Sequence, residues 1–333
     1  MAKQGNPYHQ GPVSDHFDGV RFFNPDGEAP KGFRDVLRWQ FGGGKTAWPK
    51  LATGTVIPTK PDTMIGGAGL RVTMVGHATL LIQIAGLNIL TDPVWSPRAS
   101  PFSFAGPKRA GEVGIRFDDL PPIDIVLVTH NHYDHLDLAT LRALHARFKP
   151  RIVTPLGNDA IIDPAVPDAQ ITTMDWGDGI NIIDGVALYC EPCHHWSARS
   201  AFDRSMALWS AFVLTTPVGN IYHIGDTGFH DGINYRAAAE KYGAFRLANL
   251  PIGAYEPRWF MKAQHQNPEE AVQGLLACNA AYAVGHHWGM FRLTNEGIHD
   301  PLRALETALD TQGVARDRFR ALHPGEVFEV PAL

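Results

Sequence analysis

The stretch Ile123-Asp-Ile-Val-Leu-Val-Thr129 followed by His130-Asn131-His132-Tyr133-Asp134-His135-Leu136-Asp137 decides how this chain is read. Its first half is a continuous apolar run bounded by Pro122, the pattern of a strand buried on both faces. Its second half packs three imidazoles and a carboxylate into six residues. That density does not suit a core, because every buried imidazole needs a hydrogen-bond partner. It does suit a metal, since neutral imidazole and carboxylate are the donors that zinc and its first-row neighbours prefer. A His-rich exposed loop binding metal adventitiously is the competing reading.

Three further strand-like runs end in the same chemistry. Ala187–Cys190 leads to His194-His195-Trp196, Asn220–Ile224 to Gly225-Asp226-Thr227-Gly228, and Ala280–Val284 to His286-His287-Trp288-Gly289. Each alone is weak, since a His-His pair or a Gly-Asp-Thr-Gly turn is common. Four strands that each end in a donor point to one strand-end edge of an α/β sheet, where such folds build their sites.

Around these lie the other expected elements. Leu70–Met74, Thr79–Ile84 and Asn88–Leu90 read as successive strands, and Arg151–Thr154, Ala207–Leu214 and Val327–Val330 as later ones. Leu138–Phe148 has helical period, Leu302–Leu309 reads as a helix, and Asn267-Pro-Glu-Glu-Ala271 carries a full helix start. Residues 1–65 are rich in Gly, Pro and polar residues and read as an N-terminal extension packing on the core, with 66–333 as one hydrolase domain. Within the extension Phe33, Val36 and Leu37 share a helical face flanked by Arg34 and Arg38, which suits either packing on the domain or a membrane surface.

Composition narrows the classes. With 333 residues, 44% of them hydrophobic, the chain can bury a full core. A net charge of −5 gives no electrostatic footprint for nucleic acid. Cys190, Cys193 and Cys278 support no disulfide framework, and Cys190-Glu-Pro-Cys193 lacks a second CxxC to complete a zinc site. The opening residues have no apolar segment of the signal-peptide kind, and no run of 18 apolar residues occurs, so the expectation is a cytoplasmic protein with peripheral membrane contact at most.

The pattern His130-x-His132-x-Asp134-His135 with distal His, Asp and His resembles the metallo-β-lactamase superfamily. Longer words are similar to its N-acylphosphatidylethanolamine-hydrolysing phospholipase D family: Gly69 to Thr79, Leu90-Thr-Asp-Pro93, Ser96 to Pro101, Gly106-Pro-Lys-Arg109, Tyr255 to Lys262, Gln264-His265 and His287-Trp-Gly289. The resemblance runs from about residue 69 to 290. It implies an α/β (α+β) fold, a four-layer αββα sandwich with an N-terminal extension. It implies two Zn2+ ions per chain, with Fe or Mn as open alternatives. His130, His132 and His195 would hold the first, and Asp134, His135 and His287 the second, with Asp226 bridging. The tryptophan after each His-His pair sets this register; a shift of one would bring in His194 or His286. Asp92 would orient a ligand imidazole from behind.

The implied enzyme is a phosphoric diester hydrolase of the phospholipase D type. It would act on N-acylphosphatidylethanolamine-like phospholipids through a metal-bridging hydroxide, giving phosphatidic acid and N-acylethanolamine. Asp134 and His265 are the residues assigned to catalysis, with His265 placed to polarise the phosphate or protonate the leaving alkoxide. Tyr133 and Gln264 are assigned to the substrate. Seven ligands with two anionic members leave two divalent ions about two positive charges, which suits an anionic phosphodiester. The alternatives are a small-substrate phosphodiesterase or lactonase on the same fold, and a noncatalytic metal-binding protein. His77 is read as a structural neighbour, and His223 as an ordinary packing or surface residue.

Overall fold

The computed structural model describes residues 5–49 and 56–333. Part of the expected N-terminal extension, residues 1–4 and 50–55, lies outside the described residues. In chain order the strands are β1 (Leu70–Gly76), β2 (Thr79–Ile84), β3 (Leu87–Thr91), β4 (Ile125–Leu127), β5 (Arg151–Pro155), β6 (Ile171–Met174) and β7 (Gly179–Ile183). They continue as β8 (Val186–Glu191), β9 (Ala211–Thr215), β10 (Asn220–His223), β11 (Phe245–Pro251), β12 (Ala280–His286), β13 (Phe319–Arg320) and β14 (Val327–Glu329). The helices are α1 (Phe33–Phe41), α2 (Leu138–Phe148), α3 (Asp159–Ile162), α4 (Ile233–Tyr242), α5 (Arg258–Met261), α6 (Pro268–Ala277) and α7 (Asp300–Thr311).

The strands form two seven-stranded sheets, in the orders β14-β1-β2-β3-β4-β5-β6 and β13-β12-β11-β10-β9-β8-β7. Both are mixed. β3 to β6 run parallel in the first, and β10 to β13 in the second. Strand β4 has a parallel neighbour on each side and is buried throughout, as its unbroken apolar run requires.

The four layers follow from which faces are apolar. Ile82, Leu127 and Val153 of the first sheet meet Leu188, Phe212, Leu247 and Val284 of the second in the central layer. Behind the first sheet, Val126, Val128 and Ile152 pack on Leu141 and Leu144 of α2. Behind the second, Tyr222 and Ala248 pack on Tyr235 of α4, Val272 and Leu275 of α6 and Leu305 of α7. The result is the αββα sandwich expected from the sequence. Each fully buried Leu or Phe in these layers contributes roughly 1.5–3 kcal/mol.

Before β1 the chain runs over the outside. Phe17 and Phe22 stack on each other and are buried in the cluster that holds Trp209. Helix α1 has no buried residue: Trp39 stacks on Phe260 at 5.0 Å, while Phe33 and Phe41 are 75% and 85% exposed. No helix among the described residues is long and apolar enough to cross a membrane.

Strand-end positions match the sequence reading within a few residues, with the expected strand from Ala207 starting only at Ala211. Seven elements were not expected at all: β6, β7, β11, β13, α3, α4 and α5. β11 is buried over its whole length although it holds Arg246 and Asn249. The Arg246 guanidinium is buried because it hydrogen-bonds the carbonyls of Ala68, Val218, Val330 and Pro331, so its charge never faces an apolar wall unpaired.

Candidate metal centre

The His-rich stretch turns sharply after β4. The backbone N–H groups of His135 and Leu136 both donate to the His132 carbonyl. Asp137 ends the turn as the cap of α2, accepting from the N–H of Ala139 and Thr140 and from that of Ser96. Arg199 clamps the loop from outside, donating to the carbonyls of Asn131 and Leu136 while its guanidinium lies 4.0 Å from the Tyr133 ring. From the second sheet, β8, β10 and β12 run in the same sense and deliver His195, Asp226 and His287 to the same edge.

Three ring nitrogens converge in the first half of the centre: His130 Nε2 lies 2.9 Å from His132 Nδ1, which lies 3.2 Å from His195 Nε2. The second half gathers two carboxylates. His287 Nε2 is 3.0 Å from Asp226 Oδ2 and 3.2 Å from Asp134 Oδ2, and His135 Nε2 is 3.2 Å from Asp226 Oδ2. All seven residues anticipated as donors are therefore brought together, and all are at least nine-tenths buried or line the cavity above.

The surrounding hydrogen bonds decide what these atoms can hold. Asp92 accepts from the Thr129 N–H at 2.7 Å, from the Thr129 hydroxyl at 2.8 Å and from His135 Nδ1 at 2.8 Å. His135 donates from Nδ1 to Asp92 and presents Nε2 to two carboxylates, and against the effect of burial Asp226, Asp134 and Asp92 push the ring well above the ordinary histidine range, so a positive charge already sits where a metal would. His195 Nδ1 donates to the Gln264 carbonyl at 3.0 Å and so leaves its Nε2 bare. Lone pairs of imidazole and carboxylate facing one another at about 3 Å require a positive charge between them. Buried atoms with no protein partner here include His135 Nε2, His132 Nε2 and Asp226 Oδ1. The donor set fits divalent metal, with groupings of His77, Asp134, His135 and His287, of His130, His132 and His195, and of His130, His135 and Asp226 each within reach of one ion.

Titration behaviour carries the same imprint. Burial and the neighbouring imidazoles keep His130 well below the ordinary histidine range, and burial with His195 beside it takes His132 down to about 3. Burial lowers His195 to about 4 against the pull of Asp226. His287 goes the other way: burial opposes its charge, but Asp226 and Asp134 raise it to about 9. Burial alone would raise the Asp226 carboxyl, yet His287 and His135 hold it well below the usual carboxylate range. Burial also opposes the charge on Asp92, which His135 and His223 nonetheless hold down at about 2.

The backbone is strained where it turns into the centre. His77, Asp92 and His287 have φ of +56°, +37° and +63°, in the left-handed region that side chains disfavour. The N–H of His287 donates to the His77 carbonyl at 2.8 Å, joining two of these strained turns.

The doubled histidines separate cleanly. His194 turns away, stacking on His230 at 3.9 Å with Nδ1 on Asn234. His286 lies behind the centre, its ring 5.2 Å from that of His223. His223 is buried rather than superficial, with Nε2 3.9 Å from Asp92 Oδ2, so reading it as an ordinary residue missed its place. His77 touches the centre directly, with Nε2 2.9 Å from Asp134 Oδ2. Cys190 and Cys193 are buried free thiols and belong to no donor cluster among the described residues.

A cavity of about 350 Å³ opens above the donors, lined by His132, Asp134, Asp226, Gln264, His265 and His287. Gln264 donates to the Glu28 carbonyl at 2.9 Å, tying the N-terminal segment to the rim. His265 Nδ1 is 4.0 Å from Asp226 Oδ2 and has no partner, and burial keeps the ring neutral, well below the usual histidine range. The short segment bearing both is fixed by α6, whose Asn267 and Glu270 cap each other's N–H at 2.8 and 2.9 Å. Tyr133 lines the cavity with its hydroxyl donating to the Arg199 carbonyl.

A sandwich of this kind with a buried His/Asp cluster at its strand ends defines a class, and residues 87–288, which contain all seven donors, match the model described as the β-lactamase superfamily domain. The chain belongs to that superfamily and is a metal-dependent hydrolase of the metallo-β-lactamase fold. It is 37% identical over 281 residues to N-acyl-phosphatidylethanolamine-hydrolyzing phospholipase D 1 of Caenorhabditis elegans, over 80% of this chain and 78% of that one. It is 32% identical over 248 residues to the mitochondrial N-acyl-phosphatidylethanolamine-hydrolyzing phospholipase D of Saccharomyces cerevisiae, over 72% of this chain and 52% of that one. Among solved structures, the isothiocyanate hydrolase from Delia radicum gut bacteria shares the fold, with TM-score 0.62 and 22% identity over 79% of this chain and 100% of that one.

Proposed function

We propose that this protein is a dinuclear zinc phosphodiesterase of the phospholipase D type, hydrolysing N-acylphosphatidylethanolamine-like phospholipids. The observation that carries this reading is the composition of the cavity. Its floor is the His/Asp cluster, and its walls include Val36, Trp39, Phe260, Met261 and Leu293, so a charged phosphodiester and its apolar substituents both find suitable surfaces. Similarity to the nematode and yeast phospholipases supports the same substrate class.

In this reading His130, His132 and His195 hold one ion and Asp134, His135 and His287 the other, with Asp226 between them. Once bound, the ions supply Lewis acidity toward a phosphoryl oxygen and a water of lowered pKa. Asp92 holds the His135 ring by its Nδ1 proton, and the Gln264 carbonyl does the same for His195, so neither ring reorients during turnover. His265, neutral and unpartnered at Nδ1, would take up the proton that the attacking water releases at the cavity wall and deliver it to the departing alkoxide. Hydrolysis adds hydroxyl to phosphorus and a proton to the alkoxide, giving phosphatidic acid and N-acylethanolamine. Tyr133 and Gln264 border the substrate.

Residues 66–333 form the hydrolase domain, and from the extension before it the described residues Pro30, Lys31, Val36 and Trp39 contribute a wall of the site. The exposed stripe Phe33, Leu37 and Phe41 on α1, with Arg34 beside it, contacts the membrane that supplies the substrate while the protein stays on the cytoplasmic side. A panel of N-acylphosphatidylethanolamine, bis(p-nitrophenyl)phosphate and simple lactones, offered to zinc-loaded protein, tests the assignment. The phospholipid should turn over fastest; turnover of lactones alone would reverse it.

A further inference from the structure

Two cavities meet at Arg204. Beside the one above the metal donors, a second cavity of about 730 Å³ lies between the N-terminal segment and the stretch that follows β8. It reaches the donor His195 and is apolar along Phe22, Phe23, Phe33 and Trp209. The two share a boundary made of Pro30, Val36, Trp196, Ala198 and Arg204, and among the described residues Arg204 is its one charged member. The 350 Å³ of the metal cavity hold roughly a dozen water-sized groups at about 30 Å³ each. An N-acylated phospholipid is far larger, so part of it lies beyond, and the second cavity offers an apolar continuation.

The Arg204 guanidinium is held in place without being used up. Its Nη1 donates to the Lys31 carbonyl at 2.8 Å and to that of Pro30 at 3.5 Å. The group lies 4.8 Å from the centre of the Trp196 ring, which in turn packs 4.5 Å from the ring of the metal donor His132. Arg204 thus stands one indole away from the metal centre. Among the described residues no carboxylate lies within ion-pair distance of it, and its Nε and Nη2 have no hydrogen-bond partner. The acids of the second cavity, Asp18 and Glu28, are not on the shared boundary: Glu28 faces Lys31 at 3.7 Å, and Asp18 accepts from the N–H groups of Val20 and Arg21. A fixed guanidinium with its Nε–Nη2 edge open is built to take a carboxylate on two parallel hydrogen bonds. A neutral amide oxygen would leave its charge unanswered.

We propose that Arg204 is a specificity-determining residue that selects N-acyl phospholipids whose headgroup carries a carboxylate, of the N-acylphosphatidylserine kind, over their ethanolamine counterparts. This rests on the phospholipase D reading above. With the phosphoryl group at the metal donors, the serine carboxylate a few bonds away meets Arg204 and the N-acyl chain runs on into the second cavity. Hydrolysis adds the hydroxyl of water to phosphorus and its proton to the serine oxygen, releasing phosphatidic acid and N-acylserine.

The test uses zinc-loaded full-length protein and two lipids with identical acyl chains, N-acylphosphatidylserine and N-acylphosphatidylethanolamine, each at the same low mole fraction in neutral detergent micelles. The ratio of kcat/KM should favour the serine lipid in the wild type and fall about tenfold in Arg204→Gln, the loss of a hydrogen-bonded charge pair. It should fall further in Arg204→Glu. Arg34→Gln, which removes the same charge from an exposed position of α1, should keep the wild-type ratio. Calorimetry should show N-octanoylserine bound more tightly than N-octanoylethanolamine, with the same dependence on Arg204. A ratio unchanged in Arg204→Gln, an equal fall in Arg34→Gln, or N-octanoylserine bound no more tightly would each overturn the proposal and leave the phospholipase reading standing. Inertness of both lipids beside hydrolysed lactones would instead defeat that reading, and the proposal with it.

Discussion

Replacing Asp92 by asparagine is the sharpest test of how the centre is held. Asp92 takes three hydrogen bonds, from the Thr129 N–H to Oδ1 and from the Thr129 hydroxyl and His135 Nδ1 to Oδ2. The Thr129 N–H is fixed by the backbone, so the asparagine carbonyl must take the Oδ1 position and its NH2 the Oδ2 position. The threonine hydroxyl must turn its proton away from the new NH2, and His130 Nδ1, 3.0 Å away, cannot take it, because a His130 that binds metal through Nε2 carries its ring proton on Nδ1. His135 cannot adapt without cost. It either keeps its proton on Nδ1 against the new NH2, a buried unpaired donor worth about 1–3 kcal/mol, or moves the proton to Nε2, where the metal would bind. Either route weakens zinc binding by about 10- to 100-fold, while the near-identical shape spares the fold. Chelator competition measures the affinity, and thermal unfolding with and without EDTA measures the fold. An asparagine variant that binds zinc within about twofold of wild type, at unchanged metal-free stability, would refute the reasoning.

Four other outcomes follow from the same geometry. Asp226→Ala and His132→Ala should each lose bound metal and hydrolysis together; full activity in metal-depleted protein would contradict the centre as drawn. Metal-stripped protein should be most stable near pH 6.5. Below it the contribution of His132 and His195, whose pKa values are depressed to about 3 and 4, is lost because the unfolded chain protonates first. Above it the stability carried by His287, fully present below about 6.5, is lost as pH rises through about 9; a flat pH profile of melting temperature would count against these shifts. Leu37→Asp with Phe41→Asp should lower turnover of vesicle-borne phospholipid several-fold and leave bis(p-nitrophenyl)phosphate hydrolysis unchanged, because neither residue lines the cavity. Arg246→Met should cost about 3 kcal/mol or more in denaturant unfolding, since four carbonyls lose their donor at once.

The metal-binding edge was legible in the sequence because its signals are local. An apolar run followed at once by imidazoles and carboxylates can be read without knowing what lies across from it, and it recurs after four strands. β11 was not legible, because Arg246 and Asn249 break the apolar pattern of a buried strand, and only the distant carbonyls of Ala68, Val330 and Pro331 make that arginine tolerable. β7 failed for the opposite reason: it is an edge strand with alternating exposure and a short Gly-Ile-Asn-Ile-Ile sequence that carries little signal. His223 was missed because its role is to stand behind Asp92, and a residue two contacts from a metal leaves no spacing rule in the chain. His77 shows the limit from another side. Its word resembles the family's, but only the fold reveals that its Nε2 reaches Asp134.

The donors divide between the sheets: His130, His132, Asp134 and His135 follow β4 of the first, whereas His195, Asp226 and His287 follow β8, β10 and β12 of the second. Between the strands the two sheets meet through apolar packing, and away from the donors Arg246 ties β11 to the chain beside β14 and β1. Bound ions would therefore act as a clasp at one end of a book whose spine is apolar. Its two covers would part first at the clasped edge when the ions leave, and hydrogen exchange would rise there before it rose at β2 or β9. Metal supply would then set how long a newly made chain survives, as well as how fast it works.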